Sequence, residues 1–245
     1  MSHTDPLWKG LPDAVQNLSE NSLFNFACHD ALPCFTQCCK DVNIYLTPYD
    51  ALRLRHALRM GSSEFLSKYT MSFLSKVGNI PVVQLMMDPQ TLRCPFVAEE
   101  GCRVYEDRPW ACRMFPLDLS SVQSKFRIVA GKERCMGLFE RSTGTVADWL
   151  QSQGVLEYAQ MDREFQSVVP EGFKPGAPMN EGLGRVLFMA YDLDRFAELL
   201  KDSRFLKFHE VDDDVLRLAG EDAKELLRLS FRYIRSQMEE LYQVV

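Results

Sequence analysis

Four of the chain's eight cysteines fall within the short stretch "CHDALPCFTQCC", at Cys28, Cys34, Cys38 and Cys39, and the last two are adjacent. The other four, Cys94, Cys102, Cys112 and Cys135, follow in the next hundred or so residues, and no cysteine lies beyond Cys135. This placement constrains the fold more than any other feature of the chain. Scattered thiols would simply be buried as small apolar groups, whereas clustered thiols in a reducing compartment point to metal or redox chemistry rather than to disulfides. The chain reads as cytoplasmic. Its opening, MSHTDPLWKGLPDAVQ, has no basic flank leading into an apolar stretch, as a signal peptide would. No run approaches the roughly 18 apolar residues of a membrane span.

Composition narrows the class further. With 46% hydrophobic and 25% charged residues, the chain has ordinary globular content and enough apolar mass for a core. A formal net charge of -6 without any basic run argues against nucleic-acid binding. Repeats, low-complexity tracts and Gly-rich phosphate loops are missing from the sequence.

Local patterns divide the chain into a cysteine-rich half and a helical half. Residues 1–27 read as a loose lead-in ending in the apolar Leu23-Phe24-Asn25-Phe26. Ile44-Tyr45-Leu46 is β-prone, and Thr47 followed by Pro48 and Asp50 is a helix start. A second helix is expected from Ser62 to about Phe73, with strands over "PVVQLMM" (81–87) and "KFRIVA" (125–130). The prolines at 89, 95 and 109 make the segment between those strands loops and short turns around a site. Thr145 opens a helix to about Tyr158, and residues 170–184 form a long break. From Ala223, apolar positions 226, 227, 231, 234, 238 and 241 line one face of a long helix. The expected fold is therefore α+β and mainly helical. A metal-organised cysteine-rich half with short strands (20–140) is expected to pack on a C-terminal helical half (141–245) as one continuous domain that offers its helical half to a protein partner.

A zinc ion takes four thiolates tetrahedrally, and iron–sulfur clusters take four cysteines, so eight thiols make two four-ligand sites arithmetically possible. Neighbouring side chains generally diverge, so Cys38 and Cys39 either serve two sites or leave one thiol free. Around the second group, Pro95 stiffens the turn at Cys94 and Gly101 permits an unusual dihedral before Cys102. Arg103, Arg108 and Arg113 lie beside these cysteines and offset the charge of a four-thiolate centre, which is about −2. Tyr105 reads equally as a core aromatic or as a hydrogen-bond donor to the site, and His29 is an alternative ligand to Cys28.

The pattern resembles the CxxCxxCC (YkgJ-like) family of zinc- or iron-chelating domains. The likeness runs through Cys28, Cys34, Cys38 and Cys39, then "NIYLTPYDALRLR", Cys94-Pro95-Phe96 and "GCRVYEDRPWACRMFP", and ends at Cys135. The family's tight CxxCxxCC is stretched here to C-x5-C-x3-CC, which bears most on Cys28. The resemblance implies that all eight cysteines are metal ligands, with Arg108, Arg113 and Tyr105 around them. It favours a [4Fe–4S]-type iron–sulfur cluster, with zinc as the alternative. Members are often described as iron–sulfur oxidoreductases, and flagellin lysine N-methylases look like relatives. Redox or protein-modification chemistry is thus implied, against a non-catalytic zinc module that is structural or delivers metal. The absence of a methyl-donor-binding Gly-rich motif weighs against methyl transfer.

Overall fold

The computed structural model describes residues 17–75, 80–122, 125–131, 134–141, 143–169 and 181–243. In chain order the first elements are β1 (Tyr45–Leu46), α1 (Pro48–Ala57), α2 (Ser62–Tyr69), β2 (Thr70–Leu74) and β3 (Pro81–Leu85). The cysteine-rich stretch adds β4 (Val97–Ala98), β5 (Gly101–Cys102), α3 (Trp110–Met114), β6 (Leu117–Leu119) and β7 (Phe126–Ile128). Helices then dominate: α4 (Val146–Ser152), α5 (Val155–Gln166), α6 (Glu181–Phe188) and α7 (Leu193–Leu199). The last are α8 (Ser203–Phe208), α9 (Asp213–Glu221) and α10 (Ala223–Gln243). The architecture is α+β and mainly helical, and the described chain forms two compact units. One comprises Met1–Val42 with Met87–Glu157, the other Asn43–Met86 with Tyr158–Val245.

The first unit carries every cysteine. Its core gathers Phe24, Phe26, Met114, Leu117, Phe126, Cys135, Val146, Leu150 and Val155. Phe24 and Phe26 stack with ring centroids 5.9 Å apart, and Trp149 meets Phe26 edge-on at 4.9 Å. The described part of the lead-in is therefore woven in rather than loose. Leu18 bridges Phe126 and Leu23 bridges Thr145, which seats the two phenylalanines in the core. Helix α4 starts on a capping box: the Thr145 hydroxyl accepts from the Asp148 N–H, while the Asp148 carboxylate accepts from the Thr145 N–H. The single helix expected from Thr145 to Tyr158 is two, because Gly154 turns left-handed at φ 63 between α4 and α5.

In the second unit an antiparallel sheet runs β1-β3-β2, with Leu46 opposite Val83 and Ser72 opposite Val83 on its other side. Thr47 and Asp50 form the capping box of α1, with Pro48 at its first helical position. The helix expected to reach Phe73 stops at Tyr69. From Thr70 the chain turns extended and pairs with β3 over Thr70 to Leu74, a non-local partner that overrides the local helical pattern. Leu227, Phe231, Ile234 and Met238 of α10 are buried, so the described part of the C-terminal stripe is core. Of the expected break at 170–184, residues 170–180 lie outside the described residues, and α6 begins at Glu181.

Candidate metal centre

The two cysteine groups meet through the backbone. Residues 39–41 and 92–94 run antiparallel: Cys94 N–H donates to the Cys39 carbonyl at 2.8 Å, Asp41 N–H donates to Leu92 O at 2.8 Å, and Lys40 bridges Arg93. Left-handed Thr36 (φ 62) turns the chain into the short 3₁₀ turn Gln37–Cys39, and its hydroxyl accepts from the Arg93 guanidinium at 3.2 Å. A second tie lies at the far end of the cysteine-rich stretch. Ala27 N–H donates to Gly137 O at 3.2 Å, and Met136 N–H donates to the Cys34 sulfur at 3.3 Å. Gly137 is obligatory here, since a Cβ at this position would sit 2.4 Å from Ala27 O and 2.7 Å from the Phe26 ring.

Several sulfurs face backbone donors. Burial pushes the Cys94 thiol up, while the N–H groups of Phe96 and Val97 donate to its sulfur and pull it down. Cys102 follows the same pattern, raised by burial and lowered by the Val104 N–H and then by the charges of Arg108 and Arg103. Cys135 is driven up to about 11 by burial and by Cys34, against the Gly137 N–H. For each of the three, one donor stands two residues beyond the cysteine, at Phe96, Val104 and Gly137, an arrangement that favours the thiolate. Gly101, at φ 122, provides the turn of the β4–β5 hairpin that carries Cys102. Cys38 and Cys39 place their sulfurs 4.0 Å apart. The hydrogen bond from Cys39 holds Cys38 down to about 7 and, conversely, pushes Cys39 well above the usual thiol range.

The arginines act through the backbone as well as by charge. Arg108 and Arg113 are both buried. Arg113 donates from Nε to Arg108 O at 3.0 Å, from Nη1 to Gln153 O at 2.6 Å, and from Nη2 to Glu106 O. Arg108 donates to Tyr105 O and to Gln153 Oε1, and its guanidinium lies 3.7 Å over the Tyr105 ring. Tyr105 itself is 53% exposed, so it is a lid over Arg108 rather than a core aromatic. The pair of arginines thus locks the loop 105–113, which includes Cys112 at the middle of α3, onto the end of α4. Arg103 donates to Pro95 O at 2.6 Å, closing the turn after Cys94. His29 pairs with Glu140 at 3.7 Å instead of standing among the sulfurs. Gln153, Met136 and Gly137 are working parts that the motif did not reveal. Only Gly137 left a trace, as the glycine two places beyond Cys135.

The donor set suits a thiophilic metal. All eight cysteines are free thiols in one unit, and charge on one is felt by others in both groups. As positioned among the described residues, no set of three or more Cys, His, Asp or Glu side chains is arranged to hold an ion. No helix is long and apolar enough to cross a membrane. No curated protein and no solved structure shows detectable similarity to the chain. Residues 27–136 match the model of the CxxCxxCC family, whose description is "Putative zinc- or iron-chelating domain". The match runs from just before the first cysteine to just after the last, so this cysteine-bearing stretch is similar to the domain of the CxxCxxCC family.

Proposed function

We propose that the cysteines of this domain hold an iron–sulfur cluster of the [4Fe–4S] type and that the protein works in redox or protein-modification chemistry. The observation that carries the reading is the set of N–H groups aimed at the sulfurs of Cys34, Cys94, Cys102 and Cys135. Such bonds, together with the charges of Arg103 and Arg108, set the potential of a thiolate-bound cluster. When bound, a cluster supplies one-electron transfer. The chain's own residues supply the ligands, the N–H donors and the cationic surroundings. Arg108 and Arg113 position the loop bearing Cys112, and the helical unit is the docking surface for a protein partner.

One observation favours a second reading. Apart from the five-residue α3, the stretch between Cys28 and Cys112 that lies in the first unit holds only two-residue strands and three-residue turns. Zinc bound there would act as a structural knot, contributing directly to folding. The test is to purify the full chain without oxygen and measure iron, zinc and acid-labile sulfide per chain with the visible spectrum. Iron with matching sulfide, and colour that bleaches with dithionite, supports the cluster. Zinc without colour supports the structural knot, and a chain with neither metal overturns both.

A further inference from the structure

We propose that the free edge of β2 is a homodimer interface, at which residues 71–75 pair antiparallel with the same residues of a second copy of this chain, about a two-fold axis at Phe73. The surface lies within the second unit and involves no cysteine.

The hairpin ladder decides which backbone groups are left over. Successive peptide groups of an antiparallel strand point alternately to its two sides. Met86 N–H donates to Tyr69 O at 2.8 Å and Ser75 N–H donates to Ile80 O at 2.9 Å, so the odd-numbered positions of this stretch turn their groups to β3. Those of Ser72 and Leu74 turn the other way. β2 ends the sheet order β1-β3-β2, and among the described residues no further strand lies beyond it. Thr70 also points outward, but its N–H is taken by Leu66 O, where it closes α2. Ser72 and Leu74 therefore offer two donors and two acceptors along an open edge.

Those groups complement themselves. With the axis at Phe73, Ser72 N–H donates to the carbonyl of the partner's Leu74, and Leu74 N–H donates to the carbonyl of the partner's Ser72. Two-fold symmetry repeats both bonds. An axis at Ser72 would instead set Leu74 against Thr70, which is buried and has no donor left.

The side chains fit the same occupant. From Thr70 to Ser75 the chain carries no charge and no proline, the usual devices that keep an edge from pairing, and no like charges meet when the strand faces itself. The opposite edge of the sheet, β1, is only two residues long. Met71 and Phe73 share one face of β2 and are 50% and 44% exposed, while Leu74, on the other face, is 41% exposed. The axis sets Phe73 against the partner's Phe73 at a non-hydrogen-bonded position, where cross-strand side chains approach most closely. Five paired residues span only about 17 Å, so the buried area falls at the small end, below about 1,200 Å². The dimer is therefore reversible and governed by concentration.

Sedimentation equilibrium of the full chain, under reducing and oxygen-free conditions, tests this between about 1 µM and 1 mM, the range of weak association. The mass should rise from one chain toward two. Ser72→Pro removes an outward N–H and places a ring in the partner's path while sparing the bonds to β3, so it should remain single. Phe73→Lys and Phe73→Glu should each remain single as well. Their equimolar mixture should dimerise more than either alone, because the axis sets position 73 against itself and the mixture replaces like charges with opposite ones. Circular dichroism checks folding, and the charge mixture decides if the proline variant unfolds. A wild-type chain that stays single throughout overturns the proposal, as does a dimer that survives Ser72→Pro or the like-charged variants. A mixture no more dimeric than its components overturns the axis at Phe73.

Discussion

Cys94 donates its backbone N–H to the carbonyl of Cys39 at 2.8 Å, so two cysteines more than fifty residues apart are joined before any metal arrives. The bond belongs to a short antiparallel pairing in which Asp41 and Leu92, at φ 53 and 59, both adopt the left-handed conformation. The centre is thus organised by main chain, and the thiols hang from that frame. Several expected outcomes depend on it.

Gly137→Ala should damage the frame at its second tie. The added methyl would collide with the Ala27 carbonyl at 2.4 Å and with the Phe26 ring at 2.7 Å, and that ring is held in the core. A loss of about 1–3 kcal/mol is expected, the usual cost of overpacking. Urea denaturation of the metal-free chain measures it, and zinc uptake should weaken in parallel.

Arg113→Lys keeps the charge but loses the fork that reaches three carbonyls at once, those of Arg108, Gln153 and Glu106. Leaving such buried acceptors short of donors should cost about 2 kcal/mol. Thermal denaturation checks this. Tyr105→Phe should leave the melting temperature unchanged. Tyr105→Ala should cost about 0.5–1 kcal/mol by removing the ring beneath Arg108.

In the metal-free chain, thiol reactivity should be uneven. Cys38 is exposed and held down to about 7 by its bond from Cys39, whereas Cys135 is buried and raised to about 11. Iodoacetamide at neutral pH should therefore modify Cys38 well before Cys135, since the thiolate is the nucleophile. Peptide mapping after timed quenching gives the order. Equal rates at the two positions would contradict this account of the pair.

Metal affinity should fall as pH falls. Burial raises Cys28, Cys94, Cys102 and Cys135 above the ordinary thiol value, so these groups are protonated near neutrality and must release protons to bind. Raising pH toward their thiol range removes that competition and strengthens binding. Calorimetric titration with Zn²⁺ in buffers of different ionisation enthalpy should show net proton release, least at Cys38.

Thr145→Ala should cost about 1 kcal/mol through loss of the cap on α4. The partner Asp148 is held below the usual carboxylate range by the Thr145 N–H and then by its hydroxyl. Its contribution to stability is therefore present above the unfolded-state value, about 3.9, and lost as pH falls through the lower folded value. Acid denaturation of wild type and Asp148→Asn should differ at neutral pH and converge at strongly acidic pH.

What could be read from the sequence was what depends on neighbours along the chain. Thr47, Pro48 and Asp50 announce the start of α1 because capping is settled within four residues, and the spacing of Leu227, Phe231, Ile234 and Met238 marks a buried helix face. Gly101 before Cys102 was legible for the same reason, as a local demand for positive φ. Long-range partners were not. Ser62 onward carries a helical pattern as far as Phe73, yet Thr70 and its successors pair with a strand that starts at Pro81. Gly154 looks like a tolerated helix residue until Arg113 is seen to need the Gln153 carbonyl beside it. In the candidate centre, the cysteines and arginines stand out by type and spacing. The N–H donors of Phe96, Val104, Met136 and Gly137 belong to the main chain, which any residue but proline provides, so composition conceals them.

The uneven burial of the thiols gives the centre an inside and an outside. Cys28 and Cys38 face solvent, Cys135 is sealed against Phe24 and Phe26 in the core, and the remaining five are half-covered. Oxidants, chelators and metal donors therefore meet the same two sulfurs first, and an ion leaving the chain breaks its bonds in the opposite order from the one that seals it. On the metal-binding reading proposed above, exchange with solvent would begin at these two surface thiols.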